Sequence, residues 1–273
     1  MLEVSRVSPV EDRGVLRSAA RRPSPPAATA GTALPVVYGL DIETDTTVDG
    51  LDPRVARIVA VAVAGPTEVK VFDDADEPRL LDRLDGYIAA AEPGVITTWN
   101  GAAFDLPFLA DRARRHCVPL GLELWLDPGL RVRAGALPGH LGAYRATWHR
   151  HVHLDAYRVF RADVVPALGV SGGLKAIARV CGLTPIEVRT EALHELSAEQ
   201  IRAYVASDAR CTRELIRRRW PSAQAAVDQV PLLADGASAG WQQPRGPEHA
   251  EAIPQDGSVR RARARRIRPA PPP

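Results

Sequence analysis

Apolar and polar positions follow strand-like and helix-like patterns through the middle of the chain. Residues 36–43 form an apolar run that ends in acids, a pattern typical of a buried strand. Two runs rich in β-branched residues, 57–64 and 67–72, flank a Gly-Pro pair and predict a hairpin. Residues 77–91 carry apolar side chains at the spacing of a helix. The pattern of residues 36–91 therefore predicts three strands followed by a helix.

The next part of the chain again alternates between strand-like and helix-like patterns. Residues 94–99 predict a fourth strand, which turns at Asn100 and Gly101 into a helix that ends near His116. Residues 118–150 combine glycine, proline and tryptophan with short strand-like pieces and predict no definite structure. A fifth strand and three helices are predicted at residues 151–155, 156–166, 172–181 and 197–219. The order predicts an α/β fold with a five-stranded mixed sheet, helices on both faces, and a site where strand ends carry acids.

The two ends of the 273-residue chain lack a hydrophobic period. Residues 1–34 hold an arginine- and proline-rich stretch followed by alanine, threonine and glycine, and residues 233–273 are rich in glycine, proline and arginine. Such compositions do not bury enough apolar surface to fold, so a disordered leader and a disordered basic tail are predicted. The folded domain is expected at residues 35–232.

Charge and composition narrow the class of protein. The formal net charge is +2, but six arginines lie in the last fourteen residues, so residues 1–259 carry about −4. The folded part is therefore not a basic nucleic-acid-binding domain, and the arginine-rich tail either binds nucleic acid or is simply solvated. No apolar signal segment or membrane-length run is present, so a cytoplasmic protein without membrane contact is expected. Three widely spaced cysteines indicate neither a disulfide framework nor a zinc ribbon.

The first candidate site residues are two acids at the end of the first strand. Asp41 and Glu43 are two residues apart, so their side chains project from the same face of a strand. Two adjacent carboxylates repel each other unless a cation neutralises them, and a hard divalent ion with oxygen ligands does this well. The alternative is that both acids lie at an exposed strand end.

A second signal lies on the last predicted helix. Ser197 and Gln200 have the spacing of a capping box, and the apolar stripe that follows includes Tyr204. Asp208 lies four residues later, on the same packed face. A carboxylate on a packed face needs a partner, because a buried unpaired charge is costly. That partner is either a metal ion, or an arginine or helix N-terminus elsewhere in the fold.

A third acid, Asp105, lies near the start of the helix that follows the fourth strand. Pro107 fits the first turn of that helix, and an acid there is favoured by the helix dipole. Taken alone, Asp105 is therefore an ordinary N-terminal helix acid.

Taken together, these residues resemble the DEDD exonuclease superfamily in its YxxxD form, and most closely the 3′–5′ exonuclease domain of family B DNA polymerases. Asp41-Ile42-Glu43-Thr44 resembles the first motif of that family. Asn100-Gly101 with Phe104-Asp105 resembles the second, and Tyr204 to Asp208 resembles the third. The similarity extends over most of residues 36–220. It implies a ribonuclease H-like fold.

The resemblance also implies an activity. The expected reaction is metal-dependent 3′–5′ hydrolysis of phosphodiester bonds that releases 5′-mononucleotides, with single-stranded DNA as the favoured substrate. An RNA exonuclease on the same fold is an alternative, because the acids are identical for both. A module that binds nucleic acid without turnover is another alternative, but an intact acid set argues against it.

The resemblance implies a role for each motif residue. Asp41, Glu43, Asp105 and Asp208 would hold two Mg²⁺ or Mn²⁺ ions, and Tyr204 would orient the attacking water with help from the glutamate. Thr44, Asn100 and Phe104 occupy positions that lie beside the substrate strand in the family. For Phe104, plain core packing is an equal alternative, and Thr44 has simple strand-end geometry as its alternative.

Other polar residues receive plainer interpretations. Asp155, at the end of the fifth strand, is interpreted as a structural acid or helix cap. His149, His151 and His153 share one strand face, but no fourth ligand is apparent and a zinc site is not favoured. Lys175 is placed on the protein surface, with contact to phosphate as the alternative.

Overall fold

The computed structural model describes residues 34–127 and 137–227, and the predicted leader and basic tail lie outside these residues. The strands are β1 Val36–Thr44, β2 Ile58–Ala64, β3 Val69–Phe72, β4 Gly94–Thr98, β5 Leu122–Leu126, β6 Tyr144–Trp148 and β7 His151–Asp155. The helices are α1 Glu77–Ala90, α2 Asp105–Arg115, α3 Ala156–Ala162, α4 Val164–Leu168, α5 Leu174–Val180, α6 Ala198–Arg218 and α7 Trp220–Val227, with a 3₁₀ helix at Thr190–Glu195.

All described strands belong to one mixed sheet in the order β3-β2-β1-β4-β7-β6-β5. The central strands β1, β4 and β7 are parallel, while the outer strands pair antiparallel. The α/β class is confirmed, but the predicted count of five strands is wrong. The two additional strands, β5 and β6, lie in residues 118–150. The short strand-like pieces of that segment were not assigned, because glycine, proline and tryptophan interrupt its pattern.

The predicted helices on both faces of the sheet are confirmed. One core packs α1 and α2 against β1 and β2, with Leu84 and Phe108 fully buried. The other packs α3, α5, α6 and α7 against the opposite face around Phe160 and Leu215. The single helix predicted at 156–166 is divided into α3 and α4 at Asp163, whose side chain caps the second helix.

Residue size decides how closely α6 approaches the sheet. The alternating residues of β2 place three alanines toward α6, where they contact Val205 and Ala209, and valines toward the opposite core. On β1, a Cβ atom added to Gly39 would lie 2.0 Å from the backbone oxygen of Ala209. Only small residues allow this packing, which brings α6 directly over the end of β1 that carries the acids.

A buried ion pair anchors the loop that follows β1. Glu77 and Arg112 are each 5% exposed and pair with each other, and Arg112 donates to the carbonyl oxygen of Pro53 at 2.8 Å. Glu77 also accepts from the backbone of Ile58 at 2.8 Å. Because a buried charge is tolerated only when it is paired, these contacts fix residues 45–57 next to the acid-bearing end of β1.

Candidate active site

Two of the predicted site residues lie at the carboxyl end of β1. Asp41 and Glu43 are half-buried and project from the face that α6 covers, while Leu40 and Ile42 pack into the opposite core. The β2 residues opposite the acids are alanines, Ala62 and Ala60. The small neighbours leave space for the carboxylates, so the predicted shared face is confirmed.

Helix α6 supplies the next residues of the site. Its predicted capping box is present, because Ser197 and Gln200 each bond the backbone of the other. Tyr204 and Asp208 are both 5% exposed on the face toward the sheet. Carboxylate oxygens of Asp41, Glu43 and Asp208 lie within 4.8 Å of one another. Within residues 34–127 and 137–227, this is the one group of three or more such residues that could hold a metal ion.

Asp105, the first residue of α2, is the fourth acid beside this cluster. It is 5% exposed, and its charge raises the pKa values of both Asp41 and Glu43. Hydrogen bonds from its own backbone and from Ile42 oppose the rise of its own pKa. Because Ile42 lies between Asp41 and Glu43, its hydrogen bond to Asp105 places Asp105 at the part of β1 that carries the two acids.

The acids are in a strongly unfavourable electrostatic environment. Burial, and then repulsion by Glu43 and Asp105, raises the pKa of Asp41 well above its usual value. Burial and Asp105 raise the pKa of Glu43 to about 8, and burial raises that of Asp105 to about 7. A site of four carboxylates needs cations to stay ionised at neutral pH. An all-oxygen donor set fits hard divalent ions such as Mg²⁺ or Mn²⁺.

Lys175 is the residue whose location was predicted wrongly. It is half-buried on α5, where its ammonium group contacts the carboxylate of Asp208 and lies 4.3 Å from the ring centre of Tyr204. Burial lowers its pKa, opposed by Asp41, Cys211 and Glu43. Composition gave no usable signal, because Lys70, the other of the two lysines among the 35 Lys and Arg residues, is equally rare and lies exposed on β3.

The three residues predicted to contact the substrate differ from one another in burial and in their contacts. Asn100 has a left-handed backbone conformation with φ of 67° at the turn before α2. Phe104 is half-buried and packs on Phe108 with ring centres 5.4 Å apart. Thr44 is buried and donates its hydroxyl to the carbonyl oxygen of Gly50 at 2.7 Å. Their roles toward a substrate stay predictions.

The histidines on and before β7 do not form a metal site. His149 pairs with Asp85 at 3.0 Å, His151 bonds the carbonyl oxygen of Ile88, and His153 bonds the hydroxyl of Thr98. Burial lowers the pKa of His153 to about 3, so its ring is neutral. Each ring has a different protein partner, and the group of described residues that could hold a metal ion does not include these three. Asp155 caps α3 by accepting from the backbone of Tyr157, as predicted.

Comparison with known proteins agrees with this geometry. Residues 56–177 match the family model described as the exonuclease domain of DNA polymerase family B. This chain is similar to the exonuclease domain of family B DNA polymerases. The resemblance predicted from its motifs is confirmed.

Individual relatives support the same similarity. The chain is 32% identical over 148 residues to the catalytic chain of DNA polymerase epsilon from Candida glabrata, covering 53% of this chain and 6% of that protein. It is 34% identical over 146 residues to the corresponding protein of Schizosaccharomyces pombe, covering 52% of this chain and 6% of that protein. The chain thus spans a small fraction of the length of these relatives.

A solved structure shows the same fold. The family B DNA polymerase from Pyrobaculum calidifontis matches with a TM-score of 0.52 and 20% identity, over 69% of this chain and 25% of that one. This likeness supports the predicted ribonuclease H-like fold.

Among the described residues, no helix is long and apolar enough to cross a membrane.

The raised carboxyl pKa values predict how stability depends on pH. In the metal-free folded chain, Glu43 and Asp105 hold protons more tightly than in the unfolded chain, so their contribution to stability is present at low pH and is lost as pH rises through about 7 to 8. We expect the melting temperature of EDTA-treated protein to fall between about pH 6 and pH 8.5. Mn²⁺ should raise it more at the higher pH, because metal and protons compete for the same oxygens.

The matched control for this scan is a Glu43→Gln variant, which removes one charge from the cluster. It should lose less stability with rising pH and should respond less to Mn²⁺ in the same thermal scans. Equal pH slopes and equal metal responses for both proteins would contradict the account of the cluster.

Proposed function

We propose that this protein is a metal-dependent 3′–5′ exonuclease that hydrolyses phosphodiester bonds of single-stranded DNA and releases 5′-mononucleotides. The observation that carries the proposal is the approach of Asp41, Glu43 and Asp208 to within 4.8 Å, with Asp105 facing the same point. DNA is the favoured substrate because the relatives are named DNA polymerases. The same acids would serve an RNA strand, so the assay below includes both.

The four acids would hold two Mg²⁺ or Mn²⁺ ions. When bound, such a pair activates water and stabilises negative charge on the leaving 3′ oxygen. The protein contributes oxygen ligands from three separate elements: β1, α2 and α6. Because these elements are held by the two cores, the ligands are arranged before a metal binds.

Tyr204 and Glu43 would orient the attacking water. Burial and the charges of Glu43 and Asp41 raise the pKa of Tyr204 far above its usual value, so its hydroxyl stays protonated. A protonated phenol donates one hydrogen bond and accepts others, so it can position a water molecule but does not act as a phenolate nucleophile. The carboxylate of Glu43 would accept a hydrogen bond from the same water.

Lys175 would add a positive charge beside the metal ions, at the side of the site formed by Asp208 and Tyr204. Its ammonium group now contacts Asp208 and lies over Tyr204. With metal ions bound, Asp208 would have another counter-ion, and Lys175 would then be able to pair with a phosphate oxygen. A fixed charge at the place where negative charge develops lowers the barrier.

The strand itself would be held by the predicted contact residues. Asn100 offers an amide at the turn before α2, Phe104 offers an aromatic face, and Thr44 offers backbone groups at the end of β1. Stacking of a base on an aromatic side chain is tolerant of sequence, as a non-specific exonuclease requires. The arginine-rich tail would add attraction for phosphates along the strand.

The activity is tested by degradation of single-stranded DNA and RNA labelled at the 3′ or the 5′ end, with Mg²⁺, Mn²⁺ or EDTA. A 5′-labelled DNA strand should give a ladder that shortens from the 3′ end and requires metal. Asp208→Ala should reduce the rate by at least about a hundredfold, because the cluster loses one of its ligands.

The control variant is Glu214→Ala, which removes an acid from the surface of the same helix and leaves the site intact. It should cleave at the rate of the natural sequence. No metal-dependent cleavage of either polymer, or equal rates for Asp208→Ala and the natural sequence, would contradict the proposal. Preferential cleavage of RNA would change the substrate to RNA.

Lys175→Met is predicted to reduce kcat by about a hundredfold, the range found when one charge-stabilising group is removed from an active site. Lys175→Arg, which keeps the charge, should recover part of the loss. The control is Lys70→Met, which removes the other lysine from the exposed face of β3 and should leave kcat unchanged. Unchanged kcat for Lys175→Met in steady-state assays would contradict a role for the ammonium group.

A further inference from the structure

Strand β7 supports the turn that joins β4 to α2, residues 99–104, which we name the Asn100 turn. His153 and Asp155 are two residues apart on β7 and are 8% and 5% exposed. Because β7 pairs parallel with β4, with Asp155 opposite Thr98, both side chains lie beside the end of β4 where the turn begins. Neither residue belongs to the group of acids that could hold a metal.

The carboxylate of Asp155 is occupied by backbone groups. One oxygen accepts from the N–H of Asn100 at 2.9 Å and of Tyr157 at 3.1 Å. The other accepts from the N–H of Ala102 at 3.3 Å and lies 3.6 Å from Nε of Arg158. A carboxylate is the acceptor best able to hold several N–H groups at once. Both oxygens therefore accept from backbone N–H groups of the turn, and one of them also from α3.

His153 acts on the same turn through Thr98. The Nε2 atom of His153 lies 2.8 Å from the hydroxyl oxygen of Thr98, which also accepts from the N–H of Gly101 at 3.1 Å. A Cβ atom at Gly101 would lie 2.3 Å from that hydroxyl oxygen, so only glycine fits there. The first three N–H groups of the turn after Trp99 are therefore all bound by side chains of β4 and β7.

The turn needs this support because of its conformation. Asn100 has φ of 67°, a left-handed conformation that residues with a side chain rarely adopt, although asparagine adopts it more readily than most. Such conformations persist where surrounding contacts hold them, and they occur frequently at functional sites. The turn also leads directly into α2, because the N–H of Leu106 donates to the carbonyl oxygen of Gly101 at 3.0 Å. The position of Asp105 therefore depends on the turn.

We propose that Asp155 is a positioning residue, supported by His153, that fixes the Asn100 turn so that Asn100 faces the substrate strand and Asp105 faces the other acids. Asp155 acts through these two residues and does not contact the substrate. The inference rests on the proposed function of the site. It explains why a buried acid lies beside an already crowded group of carboxylates.

The test compares Asp155→Ala with Asp163→Ala, a matched control. Asp163 also caps a short helix, by accepting from Val164, and its side-chain partner is Arg219, which follows α6, and not a residue of the turn. In Asp155→Ala, hydrogen–deuterium exchange of a peptide covering residues 98–105 should become at least about tenfold faster, while peptides from β1 and α6 keep their rates. Asp163→Ala should leave the exchange of residues 98–105 unchanged.

Two functional readouts separate positioning from plain stability. In Asp155→Ala, kcat/KM for single-stranded DNA should fall at least about tenfold, since a small misplacement of reacting groups is costly. The dissociation constant for a single-stranded oligonucleotide in EDTA should rise at least about fivefold. Asp155→Asn keeps the oxygen that faces Asn100 and Tyr157, so it should recover most of both losses.

Faster exchange with unchanged kcat/KM and unchanged binding would overturn the inference, and so would unchanged exchange. If the natural sequence binds the oligonucleotide but cleaves nothing, the proposed function fails. In that case the hydrogen–deuterium exchange of residues 98–105 and the oligonucleotide binding of Asp155→Ala decide the inference without the kinetic readout. If the natural sequence neither cleaves nor binds, both are overturned. If Asp155→Ala does not fold, the same readouts on Asp155→Asn apply, with a smaller shift in the same direction expected.

Discussion

The close packing of α6 on β1 and β2 is the constraint on which the site depends. Gly39 leaves no space for a side chain under Ala209, and the alanines of β2 continue this small surface. The helix therefore lies near enough for Asp208 to reach the acids of β1. A larger residue at Gly39 would force the helix outward and separate ligands that come from distant parts of the sequence.

This packing concentrates negative charge that the fold alone does not favour. Burial and mutual repulsion raise the pKa values of Asp41, Glu43 and Asp105. Lys175 offsets part of that charge from α5, and the two cores supply the stability that holds the acids together. Functional sites commonly lower the stability of a fold in this way, because their groups are held in place despite unfavourable interactions.

Patterns local in sequence predicted a large part of the structure. The acids of β1, the capping box of α6 and the Tyr204–Asp208 spacing could be located because each depends on strand or helix periodicity. The short strands β5 and β6 could not, since glycine, proline and tryptophan interrupt the pattern of the segment that contains them. Lys175 and the contacts of Asp155 depend on elements far apart in the chain, so no local pattern indicated what they touch.

The most direct measurement of the central claim is anomalous X-ray diffraction from crystals of the protein soaked in Mn²⁺. The account predicts manganese peaks bound by carboxylate oxygens of Asp41, Glu43 and Asp208, with Asp105 adjacent, and α6 in contact with β1 at Gly39. Manganese bound only elsewhere, or no ordered manganese at this group of acids under saturating conditions, would contradict it.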